Sequence, residues 1–211
     1  SCEMSPTKVS CWGAGETTLN EFQHRGQSRV PSISGTILDI SAGERLSCVL
    51  STAGVKCWGD NGFGQATPPT DLENPTSVSA GAFHGCATDD SGVRCWGSIE
   101  NTPTDLINPR SLTSGYGSSC ALTDLGVHCW GNANWKVTDV PADLVNAKEV
   151  VAGKYFACAI DDNGIKCWGT DPENKLLPPS GLQNPRNLSA GASHACVQSD
   201  AGLHCWGSPS N

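Results

Sequence analysis

Short runs in which apolar and polar residues alternate, each broken by a turn, recur along the chain. The clearest is Cys120-Ala-Leu-Thr-Asp-Leu-Gly-Val-His-Cys129. Period-two alternation puts Leu122 and Val127 on the face of the two cysteines and Trp130 on the other. Turn chemistry sits in the middle, at Thr123-Asp124-Leu125-Gly126. Its equivalents are Asp89-Asp90-Ser91-Gly92, Asp161-Asp162-Asn163-Gly164 and Ser199-Asp200-Ala201-Gly202. The glycine in last place supplies the positive φ that such turns require. The pattern predicts a β-hairpin with a two-residue loop, in which residue i faces residue i+9. The cysteines then lie opposite one another. Facing Cβ atoms are about 4.5–5.5 Å apart, a little wider than the ~3.5–4.5 Å of a disulfide, and modest adjustment closes the gap.

This unit occurs six times and accounts for all twelve cysteines: Cys2–Cys11, Cys48–Cys57, Cys86–Cys95, Cys120–Cys129, Cys158–Cys167 and Cys196–Cys205. Each second cysteine is followed by Trp and Gly, at Trp12, Trp58, Trp96, Trp130, Trp168 and Trp206. Six disulfides, one within each repeat, are expected, because zinc sites favour closer cysteine spacings. The tryptophans are expected to fill wedges between neighbouring sheets. Upstream of the pairs stand Ser41-Ala42-Gly43, Ser79-Ala80-Gly81, Thr113-Ser114-Gly115, Val151-Ala152-Gly153 and Ser189-Ala190-Gly191, at spacings of 38, 34, 38 and 38 residues. Such a period, with short β segments, predicts an all-β, closed β-propeller of about six short blades.

The 211 residues read as a single propeller domain, 1–211, with repeats near 1–40, 41–78, 79–112, 113–150, 151–188 and 189–211. The first copy lacks its Ser-Ala-Gly and the last lacks its tail. The ends therefore look like complementary fragments of a cycle, with the terminal blade shared between the N- and C-termini. Neither terminus supplies a full Ser-Ala-Gly strand, so that incomplete blade is also where a neighbouring molecule could complete an oligomer.

So many paired cysteines point to an oxidising, extracellular compartment. The start at Ser1-Cys2 suggests a mature form left after signal-peptide removal. Thirteen basic residues against 21 acidic ones give a net charge of −8. No basic stripe is visible, which argues against nucleic acid and against anionic membranes. No apolar run approaches the ~20 residues that membrane insertion needs. The 24 glycines and 13 prolines suit a turn-rich β protein.

The succession Ser-Ala-Gly, Cys-Ala-Leu, Gly-Val-x-Cys-Trp-Gly, Gly-Gln resembles the repeat of the regulator of chromosome condensation family. The best copy runs from Ser41 to Val78 and contains Gly54-Val-Lys-Cys57-Trp58-Gly59-Asp-Asn-Gly-Phe63-Gly-Gln65. The resemblance covers essentially the whole chain and implies a β-propeller with four-stranded blades. Repeats of about 38 residues, six rather than seven of them, and a cysteine pair in each depart from the family's intracellular members. Their nucleotide-exchange and chromatin roles are therefore not carried over. Secreted bacterial inhibitors of β-lactamase are similar in repeat type and bind proteins through one propeller face.

No catalytic motif stands out: there is no His-Glu-x-x-His, Walker-type loop or Gly-x-Ser-x-Gly. Of the five histidines, His24, His84, His128, His194 and His204, two share a slot (His128 and His204). That slot is otherwise filled by Lys56, Arg94, Lys166 and Ser10, which marks a solvated strand position. Asp161-Asp162-Asn163-Gly164 has a calcium-like look but falls where every repeat has its turn. No catalytic residue, metal or cofactor is expected. Asn187-Leu188-Ser189 is the one N-glycosylation sequon, since proline blocks Asn74-Pro75-Thr76.

The remaining aromatics are more telling. Label the strands of a repeat a (Ser-Ala-Gly), b (first Cys), c (Cys-Trp-Gly) and d (near Leu72 or Leu182). Phe83, Tyr116, Tyr155 and Phe156 then lie in a–b loops, and Phe22, Phe63 and Trp135 in c–d loops. In a meander all seven map to one face, with the insertion of about eight residues within Ala14 to Gly26. The Asp-rich b–c turns map to the other. These rings either plug the blade ends as a satellite core or form a ligand face, and the ligand face is the expectation. Its residues are Arg45, Phe63, Phe83, His84, Tyr116, Trp135, Lys154, Tyr155, Phe156 and His194. Aromatics beside cations suit protein hot spots and sugar stacking alike. A multivalent lectin would carry the same polar group in each repeat, whereas the a–b loops diverge: Glu44-Arg45-Leu46, Ala82-Phe83-His84, Tyr116-Gly117-Ser118, Lys154-Tyr155-Phe156, Ala192-Ser193-His194. The chain is thus expected to be an extracellular, non-enzymatic recognition protein for a protein or large ligand. A glycan-binding lectin is the alternative, and a secreted inhibitor of the β-lactamase-inhibitor type a third reading.

Overall fold

Every Cys-Trp-Gly unit folds as an antiparallel hairpin in the register expected from its spacing. In the first, β1 (Cys2–Ser5) pairs with β2 (Lys8–Cys11), and Cys2 faces Cys11. In the other five the facing cysteines are 48/57, 86/95, 120/129, 158/167 and 196/205. All six pairs are disulfide-bonded, with Cα atoms 4.0–4.1 Å apart. That separation is the narrow one of an antiparallel ladder, the position without hydrogen bonds between the facing residues. The turn glycines Gly54, Gly92, Gly126, Gly164 and Gly202 have φ between 106° and 118°.

The computed structural model describes residues 1–13, 25–170 and 176–208, and the chain divides into two compact units. The first, Ser1–Asp105, holds the β1–β2 hairpin and two three-stranded meanders. These are β3 (Ile37–Ala42), β4 (Leu46–Ser51) and β5 (Gly54–Gly59), then β6 (Ser77–Ala80), β7 (His84–Asp89) and β8 (Gly92–Gly97). The second, Leu106–Asn211, holds three. These are β9 (Arg110–Ser114), β10 (Ser118–Thr123) and β11 (Gly126–Gly131); β12 (Glu149–Ala152), β13 (Phe156–Asp161) and β14 (Gly164–Gly169); and β15 (Arg186–Ala190), β16 (His194–Ser199) and β17 (Gly202–Gly207). The chain is therefore all-β, made of small blade-like sheets with one disulfide in each.

The fourth strand implied by the family resemblance is absent from the described residues. The stretches near Leu72 and Leu182 are turns whose leucines still pack on the sheets. Pro68-Pro69 and Pro178-Pro179 have no N–H to give a ladder. Asn74 and Asn184 take φ of 48° and 52°, which breaks an extended run.

Within each unit, successive sheets are joined at their first strands. A Cβ at Gly43 would collide with the Gly81 carbonyl oxygen, and one at Gly115 with that of Gly153. The Ser-Ala-Gly glycine thus lets two backbones touch. Side chains of one first strand also cap the N–H edge of the next. Asp39 Oδ2 accepts from Val78 N at 3.0 Å, and Ser41 Oγ from Ala80 N at 2.9 Å. Thr113 Oγ1 accepts from Ala152 N at 3.0 Å, and the Glu149 carboxylate from the amides of Asn187 and Leu188. Filling an exposed edge this way removes a site for non-native strand pairing.

Trp58, Trp96, Trp168 and Trp206 bridge sheets as expected, and three of these indoles also make a specific bond. Trp58 Nε1 donates to Gln27 O at 2.9 Å, Trp96 Nε1 to Gln65 O at 2.8 Å and Trp168 Nε1 to Val137 O at 2.8 Å. Trp96 shares a buried cluster with Leu46 and Leu50 of the preceding sheet and Val78 of its own. Trp12 departs from the pattern at 48% exposed. The glycine after five of the six tryptophans is required twice, Gly13 having nothing within 4 Å of its Cβ position. Gly59 has φ of 119°, and its missing Cβ makes room for the Arg45 carbonyl. Gly97, Gly131, Gly169 and Gly207 repeat this against Phe83, Gly117, Tyr155 and Ser193.

These two kinds of glycine make a direct comparison. Gly54→Ala meets only backbone strain, since nothing lies within 4 Å of its Cβ position, and should cost about 1–2 kcal/mol. Gly59→Ala adds a clash with backbone and should cost about 3 kcal/mol or more. Urea denaturation of the two variants measures the difference; equal costs would reject this account of the Trp-Gly pair.

Candidate functional site

The loops between first and second strands are shorter than their three-residue alignment suggests. Gly43 N donates to Leu46 O, Gly81 N to His84 O, Gly115 N to Ser118 O, Gly153 N to Phe156 O and Gly191 N to His194 O, all at 2.8–2.9 Å. Two residues form the tip of each such turn, 44–45, 82–83, 116–117, 154–155 and 192–193, and of these Ala82 is buried. The third rejoins the sheet. The turn residues are anchored at the back, because Arg45, Phe83, Gly117, Tyr155 and Ser193 each give their carbonyl to the amide that follows the Trp-Gly pair.

This geometry corrects two expected face residues. His84 and Phe156, both third residues, are 0% and 1% exposed. Phe156 lies over Gly153, where a Cβ would strike its ring, and belongs to the core with Cys158, Ile160 and Val197. Burial holds the His84 imidazole pKa down at about 4, favouring its neutral form. The slot also holds Leu46 and Ser118, both fully buried. His194, in the same slot of the last sheet, is exposed and lies over Gly191. Arg45 is half-buried and pairs with its neighbour Glu44 at 4.0 Å.

The other expected residues come together in two groups, one in each unit. In the first unit Phe63 and Phe83 meet edge to face at 5.5 Å, with Phe63 58% exposed. In the second, Tyr155 stacks on Trp135 at 4.1 Å with a 32° tilt and meets the Tyr116 ring edge to face at 5.6 Å. Lys154 Nζ sits 4.6 Å over the centroid of Tyr116 and 5.2 Å over that of Tyr155. A short 3₁₀ turn, Ala133–Trp135, capped by the Asn132 side chain, aims Trp135 at this cluster. The Lys154 amide is tied to the Ala192 carbonyl at 3.1 Å. Phe22, His24 and most of the 14–26 insertion lie outside the described residues.

Sequence reasoning missed that these rings pair across repeats by a rule. Phe63 meets Phe83 and Trp135 meets Tyr155, each pair twenty residues apart, so a loop after one tryptophan reaches the first loop of the next repeat. It also missed what the aspartates do at the other end of each blade. Asp161, 4% exposed, accepts from the amides of Asn163 and Val145 and so caps its own turn, and Asp89 does the same for Ser91 and Glu73. The next aspartates, Asp90, Asp124, Asp162 and Asp200, each accept from an asparagine sixteen residues earlier at 2.6–2.7 Å. Asp124, Asp162 and Asp200 also pair with Arg110, Lys148 and Arg186; the asparagine bonds, foremost at Asp124 and Asp200, and these cations, foremost at Asp162, hold their carboxyls below the usual range. These turns are structural clasps. Among the described residues no group of three or more metal-ligating side chains converges, and no helix is long and apolar enough to cross a membrane.

Comparisons with known proteins agree with the architecture. Residues 37–65 match the regulator of chromosome condensation (RCC1) repeat. The chain is similar to the CRINKLY WD40 ectodomain of the receptor kinase ACR4 from Arabidopsis thaliana. Identity is 28%, the TM-score 0.68, and the match covers 82% of this chain and 66% of that one. It is similar to the ectodomain of the receptor kinase CR4 from Physcomitrella patens at 27% identity and TM-score 0.69, over 80% and 50% of the two chains. The chain spans half to about two thirds of these ectodomains. Prp20p from Saccharomyces cerevisiae, whose binding to Gsp1p and histones has been described, shares the fold at 17% identity and TM-score 0.70, over 98% and 67%. No curated protein sequence matches.

A pH-dependent stability follows from His84. Its folded pKa of about 4 lies below the ordinary 6.5, so below pH 6.5 the unfolded chain takes up a proton that the folded one refuses. The stability contributed by the neutral ring is complete above pH 6.5 and is lost as pH falls toward 4, to the extent of roughly 3 kcal/mol. In His84→Leu, which copies the residue at 46, thermal melts from pH 7 to 4 should lose this component; an unchanged profile would reject the assignment.

Proposed function

Because this chain is a disulfide-bonded relative of the RCC1-repeat β-propellers, we propose that it is a non-enzymatic recognition protein of the extracellular space, binding a protein partner through its aromatic loop face. Cross-strand disulfides and similarity to receptor ectodomains support the compartment. The observation that carries the binding reading is the divergence of the two turn residues against a constant frame. They are Ala82-Phe83 in one blade and Lys154-Tyr155 in another, held by the same turn and the same carbonyl anchor. Variable side chains on rigid loops are the usual arrangement of a recognition surface. Half-buried aromatic rings beside them supply contact area at low entropic cost, as binding hot spots do. A repeated glycan site would ask for one polar group in every blade, and the loops do not offer it.

The test pairs Tyr155→Ala with Leu125→Ser. Leu125, 74% exposed, stands on a turn at the far end of its blade; Asp161 and Asp89 would be poor controls because their loss undoes a turn. Wild-type protein is screened against an array of extracellular protein domains and a glycan array. Expected are protein hits that Tyr155→Ala weakens by about 2 kcal/mol or more and Leu125→Ser leaves unchanged. Glycan hits alone, or binding sensitive to Leu125→Ser and not to Tyr155→Ala, would sink the reading.

A further inference from the structure

We propose that the cluster of Lys154, Tyr116, Tyr155 and Trp135 receives a carboxylate side chain from an acidic segment of the partner protein. The inference rests on the loop-face reading and specifies its chemistry. In the same unit Arg110, Lys148, Lys166 and Arg186 each lie 2.6–3.0 Å from an aspartate. Lys154 is held differently, over the faces of two tyrosines. A ring face attracts a cation through its quadrupole but offers the ammonium no hydrogen-bond acceptor. The three N–H donors of Nζ therefore keep their capacity for an anion, while the rings hold the charge at a fixed place. The chain as a whole carries a net charge of −8, and a cation presented on an aromatic shelf is locally the opposite of that field. Complementarity then selects an acidic partner, and desolvation against the rings strengthens the contact.

An anionic sugar fits less well. Stacking of a pyranose needs an open ring face, and Tyr155 already gives its surroundings to Trp135 at 4.1 Å, to the edge contact with Tyr116 and to Lys154. A peptide carboxylate needs only the ammonium, and an apolar neighbour in the same segment can lie against the exposed part of Trp135.

The experiment selects peptides from a random twelve-residue display library on the intact protein. The chosen peptides are then measured by fluorescence anisotropy against wild type, Lys154→Met, Lys154→Glu and Tyr155→Ala, each with its melting temperature checked. Expected are peptides rich in Asp or Glu whose Kd rises at least about tenfold in Lys154→Met. Lys154→Glu should lose them and bind versions with Lys in place of the acid. Binding that fails in Tyr155→Ala but survives Lys154→Met leaves the loop face standing and overturns the carboxylate. Binding indifferent to both variants overturns the loop face itself. Recovery of no peptide, or Lys154-dependent binding of heparin fragments in place of peptides, also overturns the proposal.

Discussion

The rest of the structure depends on the register of the disulfide-crossed hairpin. A β-strand has a side-chain period of two, so a slip of one residue would send Trp58 or Trp96 to the cysteine face and the cysteines to the other. The bond between residues nine apart forbids that slip. Each bridge closes only a short loop, and chain entropy credits it with roughly 2.5 kcal/mol. Its larger consequence is geometric. With the register fixed, the indole must point to the preceding sheet, the next glycine must meet the loop carbonyl, and the turn glycine must close the far end.

Contacts between neighbouring sheets follow from that placement. Trp96 reaches the carbonyl of Gln65 because its strand cannot slide, and the same holds for Trp168 and Val137. First strands then approach until Gly43 meets Gly81 and Gly115 meets Gly153. Backbone contact leaves no room for repacking, so the two-residue loops above it inherit a rigid base. Rigidity there is what allows the turn residues to vary.

Interactions local in sequence were legible. The hairpins, the six disulfides and the bridging tryptophans follow from a nine-residue spacing and period-two alternation. Three features were not. The missing fourth strand hinges on left-handed asparagines at 74 and 184, and an Asn before Pro reads equally well as a loop. The burial of His84 and Phe156 hinges on a turn one residue tighter than the alignment shows, so a residue that looks like loop is already strand. The clasps at the Asp turns were not legible because their partners, Asn74, Asn108, Asn146 and Asn184, stand sixteen residues away and outside the repeat's cysteine motif. For the candidate site the residue types were readable, but which rings meet was set by a twenty-residue spacing that spans two repeats.

Those same contacts divide the labour within a blade. At one end the polar groups satisfy each other: asparagine amide, aspartate and, in several repeats, arginine or lysine form a closed clasp with little left to offer a ligand. At the other end the glycine turn is held by backbone, and its second residue, Phe83 or Tyr155, is released to face outward with its ring. One blade sets Phe83 against Phe63, another Lys154 and Tyr155 against Trp135. An apolar pair and a cation on an aromatic shelf are chemically distinct surfaces, yet the frame beneath them is the same. Recognition in such a chain can therefore change by substitution at loop pairs alone, while the disulfide, indole and glycine contacts that fix the sheets remain as they are.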